Sequence, residues 1–144
     1  MTKLYKSLSI FLIIVIVAVL SYIGYVMATP KQGEIFTEFY ILGLDGKASG
    51  YPREAAVGKP VQLLIGITNH EHQTMDYRVV IKIEGATVNQ LNIGSLDNDQ
   101  KREQVINFMP RMLGEKQKVE FYLYKNNESQ PYFKDPLRLY IDVR

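Results

Sequence analysis

The sequence predicts an all-β domain, an immunoglobulin-like antiparallel β-sandwich of about seven strands, preceded by one N-terminal transmembrane α-helix. An uncharged apolar run of helical length occupies residues 8–28. From residue 34 onward, apolar residues recur at every second position, which is the period of a half-buried strand. Turn residues separate these runs, as is typical of a sandwich. The part of the 144-residue chain beyond the helix has the size of one domain.

The apolar run at residues 8–28 predicts a helix that crosses a membrane once. Its twenty-one residues carry no charge. At about 1.5 Å per residue it spans roughly 31 Å, close to the roughly 30 Å hydrocarbon core of a bilayer. A cleaved secretory signal is the alternative, because Val26-Met27-Ala28 fits a small-residue cleavage site. Such signals usually have an apolar core of about 7 to 15 residues, so the length here favours an uncleaved anchor.

The charges beside the helix predict its orientation. Lys3 and Lys6 lie in the tail at residues 1–7, whereas Lys31 and Glu34 after the helix cancel each other. The positive-inside rule therefore makes the tail cytoplasmic and places the C-terminal domain outside the cell membrane.

Residues 29–33 (TPKQG) are predicted to form a short polar linker, in which the proline ends the helix. A linker of this length reaches only about 20 Å. The extracytoplasmic β-sandwich domain, residues 34–144, is therefore expected close to the bilayer surface, where it would meet other membrane proteins laterally.

Seven runs predict the strands of the domain. Apolar and polar residues alternate clearly in four of them, at residues 61–69, 76–84, 118–124 and 137–144. Residues 35–42 are apolar on both faces, and the weaker candidates are residues 88–93 and 103–108. Clusters of Gly, Pro, Asn and Asp separate the runs. A small jelly roll or barrel stays open as an alternative, because strand number alone does not fix topology.

Composition narrows the possible functions. The chain has 17 Lys and Arg against 15 Asp and Glu; without Lys3 and Lys6 the remainder is 15 against 15, so the part of the chain beyond the helix is formally neutral. Neutrality argues against a nucleic-acid partner, which needs a local excess of cations. The chain has no Cys, which excludes thiolate nucleophiles and thiolate metal sites. No nucleotide-binding or hydrolase motif occurs, so we expect no cofactor and no enzyme activity.

Part of the domain resembles a known family. The likeness is carried by FTEFYILG at residues 36–43, GITNHE at 66–71 and YRV at 77–79, with shorter matches between them. These segments resemble a prokaryotic, mainly archaeal family of membrane proteins known as domain of unknown function number sixteen-sixteen. The likeness covers about residues 34–84. Members look like multi-pass membrane proteins that end in such an exported domain, whereas this chain has one predicted pass. The resemblance implies no activity.

The two histidines, His70 and His72, lie in one polar run, NHEH, and raise a metal-binding hypothesis. On a strand they would project from one face about 7 Å apart and could chelate Zn²⁺ or Cu²⁺. A hairpin turn between two strands is the favoured alternative, because two ligands without a third make a weak site. Thioethers suit Cu(I), so three methionines join the copper hypothesis: Met75, Met109 and Met112. Met more often fills gaps in a hydrophobic core, which is the alternative for these residues.

Aromatic side chains provide the preferred candidate for a partner contact. Tyr122, Tyr124 and Tyr140 fall on the polar face of the last two strands, and Tyr132 and Phe133 lie in the loop between them. If these strands are neighbours, the five rings form one patch, and exposed aromatics at this density mark a protein or glycan contact. Cover by a second layer of the same chain is the alternative.

Asn127 begins an N-glycosylation sequon, Asn127-Glu128-Ser129, which would be usable only in an archaeal host.

These observations predict a non-catalytic, single-pass, membrane-anchored interaction module. It would be an accessory or structural subunit of a membrane or cell-envelope complex that binds other membrane or envelope proteins, with a homo- or hetero-oligomer left open. Two alternatives stay open: an extracytoplasmic copper- or zinc-binding domain, and a glycan-binding or envelope-structural module.

Overall fold

A computed structural model describes residues 1–29 and 33–144. The predicted linker, residues 29–33 with Lys31, falls largely outside the described residues. The chain divides into two compact units, Met1–Gly33 and Glu34–Arg144.

The first unit is one α-helix, α1, which spans Thr2–Ala28. The helix begins at Thr2, whereas the predicted membrane-spanning segment begins at residue 8. Residues 2–7 therefore extend the helix on the N-terminal side of the apolar run. At its end, both the backbone N–H and the Oγ1 of Thr29 donate to the Tyr25 carbonyl, at 2.9 and 2.7 Å. The helix is long and apolar enough to cross a membrane, and a signal sequence near an N-terminus has the same properties.

The second unit contains eight strands. They are β1 (Phe36–Leu42), β2 (Glu54–Ala55), β3 (Val61–His70), β4 (Met75–Ile83), β5 (Ala86–Leu96), β6 (Lys101–Phe108), β7 (Gly114–Lys125) and β8 (Leu137–Val143). All seven predicted strands are present. The additional strand, β2, has only two residues, too few to show a period.

The strands form two sheets that pack as a sandwich, which confirms the predicted fold class. One sheet has the order β1-β3-β6, and the other has the order β2-β8-β7-β4-β5. Neighbouring strands are antiparallel except β2 and β8, which are parallel. β4 and β7 form the middle of the larger sheet, so this sheet carries most of the outward-facing surface discussed below.

The core lies between the sheets and is built by the alternation seen in the sequence. Each strand turns every second side chain inward, and the inward residues are largely Ile, Leu and Val. Phe108 from the smaller sheet packs edge-on against Phe121 from the larger sheet, with ring centroids 6.1 Å apart. Burial of each such side chain stabilises the fold by about 1.5–3 kcal/mol.

Candidate functional site

The outer face of the five-stranded sheet follows directly from the core pattern. Val119, Phe121 and Leu123 of β7 are fully buried between the sheets. Tyr122 and Tyr124 alternate with them and therefore project from the opposite side of the sheet.

Cations from β4 cover these two rings. Arg78 lies opposite Tyr124 in the strand register, and its guanidinium carbon is 4.4 Å from the ring centroid. The Lys82 Nζ lies 4.9 Å from the centroid of Tyr122. Both distances are within the range of a cation–π interaction, which contributes about 0.5–1 kcal/mol at a solvent-exposed site. The rings are thus held in place under charged groups rather than lying loose in solvent.

Glu120 is the buried carboxylate among these cations and is only 6% exposed. Its carboxylate receives the Arg138 Nε at 3.3 Å, the Lys118 Nζ at 3.5 Å and the Tyr122 hydroxyl at 3.2 Å. Burial alone raises the pKa of Glu120, but these bonds and the nearby cations outweigh it and lower the pKa. Glu120 therefore stays ionised and fixes the direction of Arg138.

Tyr140 of β8 is the most exposed ring of the set, at 58%. It lies opposite Lys118 in the register and lines an open cleft of about 400 Å³ with Arg53 and Lys116. We call the outer surface of this sheet the cationic aromatic face. It consists of Arg78, Lys82, Lys118, Glu120, Tyr122, Tyr124, Arg138 and Tyr140.

The two remaining aromatics of the predicted patch lie elsewhere, so the five rings do not form one surface. Tyr132 is half-buried, and its hydroxyl accepts the Thr37 backbone N–H at 3.1 Å. Phe133 stacks on Phe39 of β1, with centroids 6.4 Å apart. The loop between β7 and β8 folds back against the smaller sheet, which carries both rings away from Tyr122. The prediction of one patch is therefore corrected to a three-tyrosine face and a separate loop contact.

A buried carboxylate lies where the two sheets meet, at the end of the domain where the chain enters. The Glu71 Oε1 accepts a hydrogen bond from the Thr37 hydroxyl at 2.8 Å and an ion pair from the Lys125 Nζ at 3.0 Å. The Thr37 hydroxyl is also 2.9 Å from the Tyr77 hydroxyl, and the Lys125 Nζ lies 4.2 Å from the Tyr132 ring centroid. We call these five residues the Glu71 cluster.

The electrostatics of the Glu71 cluster favour the ionised carboxylate. Burial raises the pKa of Glu71, yet the bonds from Thr37, Lys125 and Tyr132 outweigh it and hold the pKa below its usual value. Burial also raises the pKa of the Tyr77 phenol. With Lys125 positive and Glu71 negative, the cluster is a neutral polar link between segments that are distant in sequence.

Sequence reasoning missed this cluster, although a signal for it exists. Thr37, Glu71 and Lys125 each continue the core-facing alternation of their strand at its end. A polar residue at such a position must be paired when it is buried. Two opposite charges and a hydroxyl at one end of the sandwich could therefore have been matched to one another.

Asn69 shapes the turn that positions Glu71. Its side-chain Nδ2 donates to the carbonyls of Gln73 and Leu96, each at 2.7 Å, and its Oδ1 accepts the Glu71 N–H at 2.8 Å. Asn69 is fully buried, so these bonds satisfy its whole amide group. The favoured hairpin-turn interpretation of the NHEH run agrees with this geometry, since β3 ends at His70.

His70 and His72 are separated by this turn. The His70 Nδ1 is 2.8 Å from the Asp99 Oδ1, and its Nε2 is 3.4 Å from the Glu38 Oε1. His72 has a left-handed backbone, φ 59°, and its N–H donates to the Asn98 side chain at 2.9 Å. Within residues 1–29 and 33–144, no three His, Cys, Asp or Glu side chains are grouped to hold a metal ion.

The hydrogen bond that the Asp99 carboxylate accepts raises the pKa of His70, and Glu38 contributes in the same direction against the effect of desolvation. His70 therefore links β1 to the turn between β5 and β6 when it is protonated.

The three methionines do not gather around the histidines. Met75 is buried at the start of β4, whereas Met109 and Met112 are exposed after β6. Because β6 ends opposite Val61 and His70 lies nine residues further along β3, the histidine and Met109 are roughly 30 Å apart. Asn127 of the sequon is exposed in the turn after β7.

The family of the chain is decided by a match over residues 30–143 to the family described as a domain of unknown function (DUF1616). The chain belongs to the DUF1616 family. The match extends well past residues 34–84, which carried the resemblance in the sequence, and it includes the cationic aromatic face of this DUF1616 domain. No curated protein sequence matches the chain.

One solved structure supports the fold of the DUF1616 domain. The CARDB domain of the PF1109 protein from Pyrococcus furiosus, solved in complex with di-metal ions, has a TM-score of 0.53 and 14% identity, covering 76% of this chain and 93% of that chain. A solution structure of the same CARDB domain has a TM-score of 0.49 and 14% identity, covering 76% of this chain and 97% of that one. At this identity the likeness shows the immunoglobulin-like fold alone.

Proposed function

We propose that this DUF1616 protein is a non-catalytic, single-pass membrane protein whose domain binds another protein of a membrane or cell-envelope complex. The observation that carries the proposal is the cationic aromatic face. Tyrosine and arginine are the residue types enriched where proteins bind one another, and here they share one sheet surface.

The charge of this face indicates the chemistry of the partner. Four cations lie on this face: Arg78, Lys82, Lys118 and Arg138. Lys118 and Arg138 pair with the buried carboxylate of Glu120, and the acids Asp76 and Asp142 face the same way on β4 and β8. An acidic surface of the partner would be attracted to Arg78 and Lys82, the two cations that cover the tyrosine rings.

The helix α1 supplies the second part of the proposal. The length of its apolar run favours an uncleaved anchor, and Lys3 and Lys6 at its start favour a cytoplasmic N-terminus and an extracytoplasmic domain. An anchor confines the domain and its partner to one membrane, which raises their effective concentration. A face of modest affinity then suffices to hold a complex.

The experiment is site-specific cross-linking of the full-length protein in its native membrane, followed by detergent extraction. A photoreactive residue at position 124 is expected to capture a partner. The matched control is a photoreactive residue at position 40, because Tyr40 has the same setting on the other sheet: its hydroxyl donates to Glu103 at 2.6 Å and Lys101 lies 5.7 Å from its centroid. Equal capture at both positions, or none at position 124, contradicts the proposal.

Metal binding is a second candidate function, favoured by the two carboxylates beside His70. Asp99 and Glu38 contact opposite nitrogens of the ring, so one ion can take the imidazole with only one of these acids. The similar CARDB domain was solved with di-metal ions, a property of that protein. Added Zn²⁺ or Cu²⁺ should raise the melting temperature of the full chain, and His70→Ala should abolish the rise, if this function applies.

A further inference from the structure

The strand β8 has an open edge in the five-stranded sheet. Its neighbour on that side, β2, pairs only with Asp142 and the residue after it. The Asp142 N–H donates to the Arg53 carbonyl at 2.8 Å, so the even-numbered backbone groups of β8 face the β2 side. The N–H and C=O groups of Tyr140 and Arg138 therefore point away from β7, beyond the end of β2.

The edge of β1, in contrast, is covered by tyrosine hydroxyls. Tyr132 accepts the outward N–H of Thr37 at 3.1 Å, and Tyr51 donates to the outward carbonyl of Ile41 at 3.0 Å. These bonds occupy backbone groups that another strand would need for pairing.

The edges of β5 and β6 are bridged by side chains. The Asn89 Nδ2 of β5 donates to the Asn107 carbonyl of β6 at 2.7 Å, and Arg102 of β6 donates to the Ile93 carbonyl of β5. Within residues 33–144, β8 is thus the edge without such cover.

A cleft of about 400 Å³ lies at this open edge. It is lined by Tyr51 and Arg53 from the segment before β2, by Lys116, and by Arg138, Tyr140 and Asp142 of β8. Arg53 and Lys116 form no ion pair with any residue in the described part of the chain. The cleft therefore combines unpaired backbone groups with two cations, Arg53 and Lys116, against one carboxylate, Asp142.

A bulge in β7 directs Lys116 to this cleft. The register between β7 and β8 shifts between Gly114 and Gln117, and Lys116 has a left-handed backbone, φ 50°. A long side chain rarely adopts this conformation, and bulges redirect a side chain relative to its strand. The Lys116 N–H is fixed by the Asp142 Oδ1 at 2.7 Å, so the bulge is locked to β8.

We propose that an extended acidic segment of the protein partner adds to the open edge of β8 as a further strand. This inference rests on the proposed function and names how the partner is held. The added strand would exchange main-chain hydrogen bonds with Tyr140 and Arg138, and its acidic side chains would reach Arg53 and Lys116. Strand addition derives affinity from the main chain and specificity from side-chain pockets. Carboxylates of the segment supply the charge that the cleft lacks.

The probe is a fluorescent peptide of about eight residues, the length of an ordinary strand, with alternating Thr and Glu. A peptide of alternating Thr and Lys is its control. Fluorescence anisotropy with the full-length protein in detergent micelles should show about tenfold tighter binding of the Glu peptide. Equal binding of both peptides contradicts the inference, and so does tighter binding of an acidic oligosaccharide.

Two variants test the cations. Arg53→Ser and Lys116→Ser should each weaken binding of the Glu peptide several-fold, about threefold to tenfold for one ion pair. Lys59→Ser is the control, because Lys59 is exposed and does not line the cleft. An effect of Lys59→Ser as large as the others would show general charge attraction and overturn the inference.

Tyr140→Pro tests the main-chain hydrogen bonds of the added strand. The Tyr140 N–H points away from β7, so its removal breaks no hydrogen bond to β7 and should abolish peptide binding. Because this variant could unfold, residue-resolved amide exchange of the wild-type protein gives an independent test. The Tyr140 amide should exchange faster than the Ile141 amide, and the Glu peptide should slow it at least about tenfold. Protection of another segment instead overturns the inference.

Cross-linking at position 124 without peptide binding refutes this inference alone, whereas peptide binding without a cross-linked partner refutes the proposed complex.

Discussion

Glu71 and Glu120 are equally buried, each 6% exposed, yet they do different work. Glu71 lies between the sheets and is bonded by the Thr37 hydroxyl and Lys125. Glu120 lies on an outer face, and its partners Arg138 and Lys118 are 44% and 39% exposed at the side chain. The exposed fraction of a carboxylate therefore does not show whether it stabilises the fold or positions side chains on a surface. The location and exposure of its partners distinguish the two roles.

The difference predicts separate consequences when each carboxylate loses a partner. Around Glu71, solvent access is small, because the side chains of Lys125 and Glu71 are 14% and 5% exposed. Around Glu120, solvent can reach the groups that remain. Loss of a buried partner should thus appear in the free energy of unfolding, and loss of a surface partner mainly in binding.

Lys125→Met is expected to have the largest effect on stability. It leaves the Glu71 carboxylate without its counter-charge, which costs about 3 kcal/mol in a buried pair. Chemical denaturation of the full chain in detergent measures the change. The control is Lys118→Met, which removes a partner of Glu120 and should cost less than about 1 kcal/mol. Equal losses for the two variants would abolish the distinction between the carboxylates.

Glu71→Gln tests the same cluster through pH. The folded-state pKa of Glu71 is below its usual value, so its ionisation stabilises the fold above the unfolded pKa of about 4.3. That stability is lost as the pH falls through the lower, folded pKa. The variant should therefore be less stable than wild type at neutral pH, with a difference that shrinks on acidification. Thermal unfolding at several pH values measures it, and a difference independent of pH would show that charge is not the cause.

For Glu120, the carboxylate on the outer face, we expect a smaller effect on stability than on partner capture. Glu120→Gln should lower the free energy of unfolding by less than about 1 kcal/mol, because its cations become solvated. Arg138 then loses the acceptor that fixes its direction, so partner capture at position 124 should fall. A stability loss as large as that of Lys125→Met, with capture unchanged, would assign Glu120 to the fold instead.

The sequence predicts much of the sandwich because burial imposes a period of two on each strand. β4 and β7 show this period almost without interruption, and their predicted strands agree with the structure. β2 was not predicted, because two residues are too few to show a period. The parallel pairing of β2 with β8 joins segments that are far apart in the chain. Local sequence patterns carry no information about such a contact.

The candidate site was only partly predictable for a related reason. Tyr122, Tyr124 and Tyr140 share a face because neighbouring antiparallel strands keep their alternation in step. Tyr132 and Phe133 are in a loop, whose direction is set by contacts with Thr37 and Phe39 nearly a hundred residues away. The ion pair between Glu71 and Lys125 likewise joins residues 54 apart in sequence, so the pairing required the register of β4 with β7.

His70 extends the comparison to carboxylates that are freely solvated, and its effect should be the smallest. Asp99, 72% exposed at the side chain, raises the pKa of His70 by a hydrogen bond, with help from Glu38. Since the folded-state pKa exceeds the unfolded value of about 6.5, protonated His70 stabilises the fold fully below that pH. The contribution is lost as the pH rises through the folded pKa. His70→Gln should therefore melt lower than wild type at acidic pH and converge with it at alkaline pH. His72→Gln is the control, because it replaces the other histidine of the same run and leaves the contacts of His70 with Asp99 and Glu38 in place. A gap between wild type and His70→Gln that widens with rising pH would contradict the role of Asp99, and would indicate that the neutral ring is the form the fold selects.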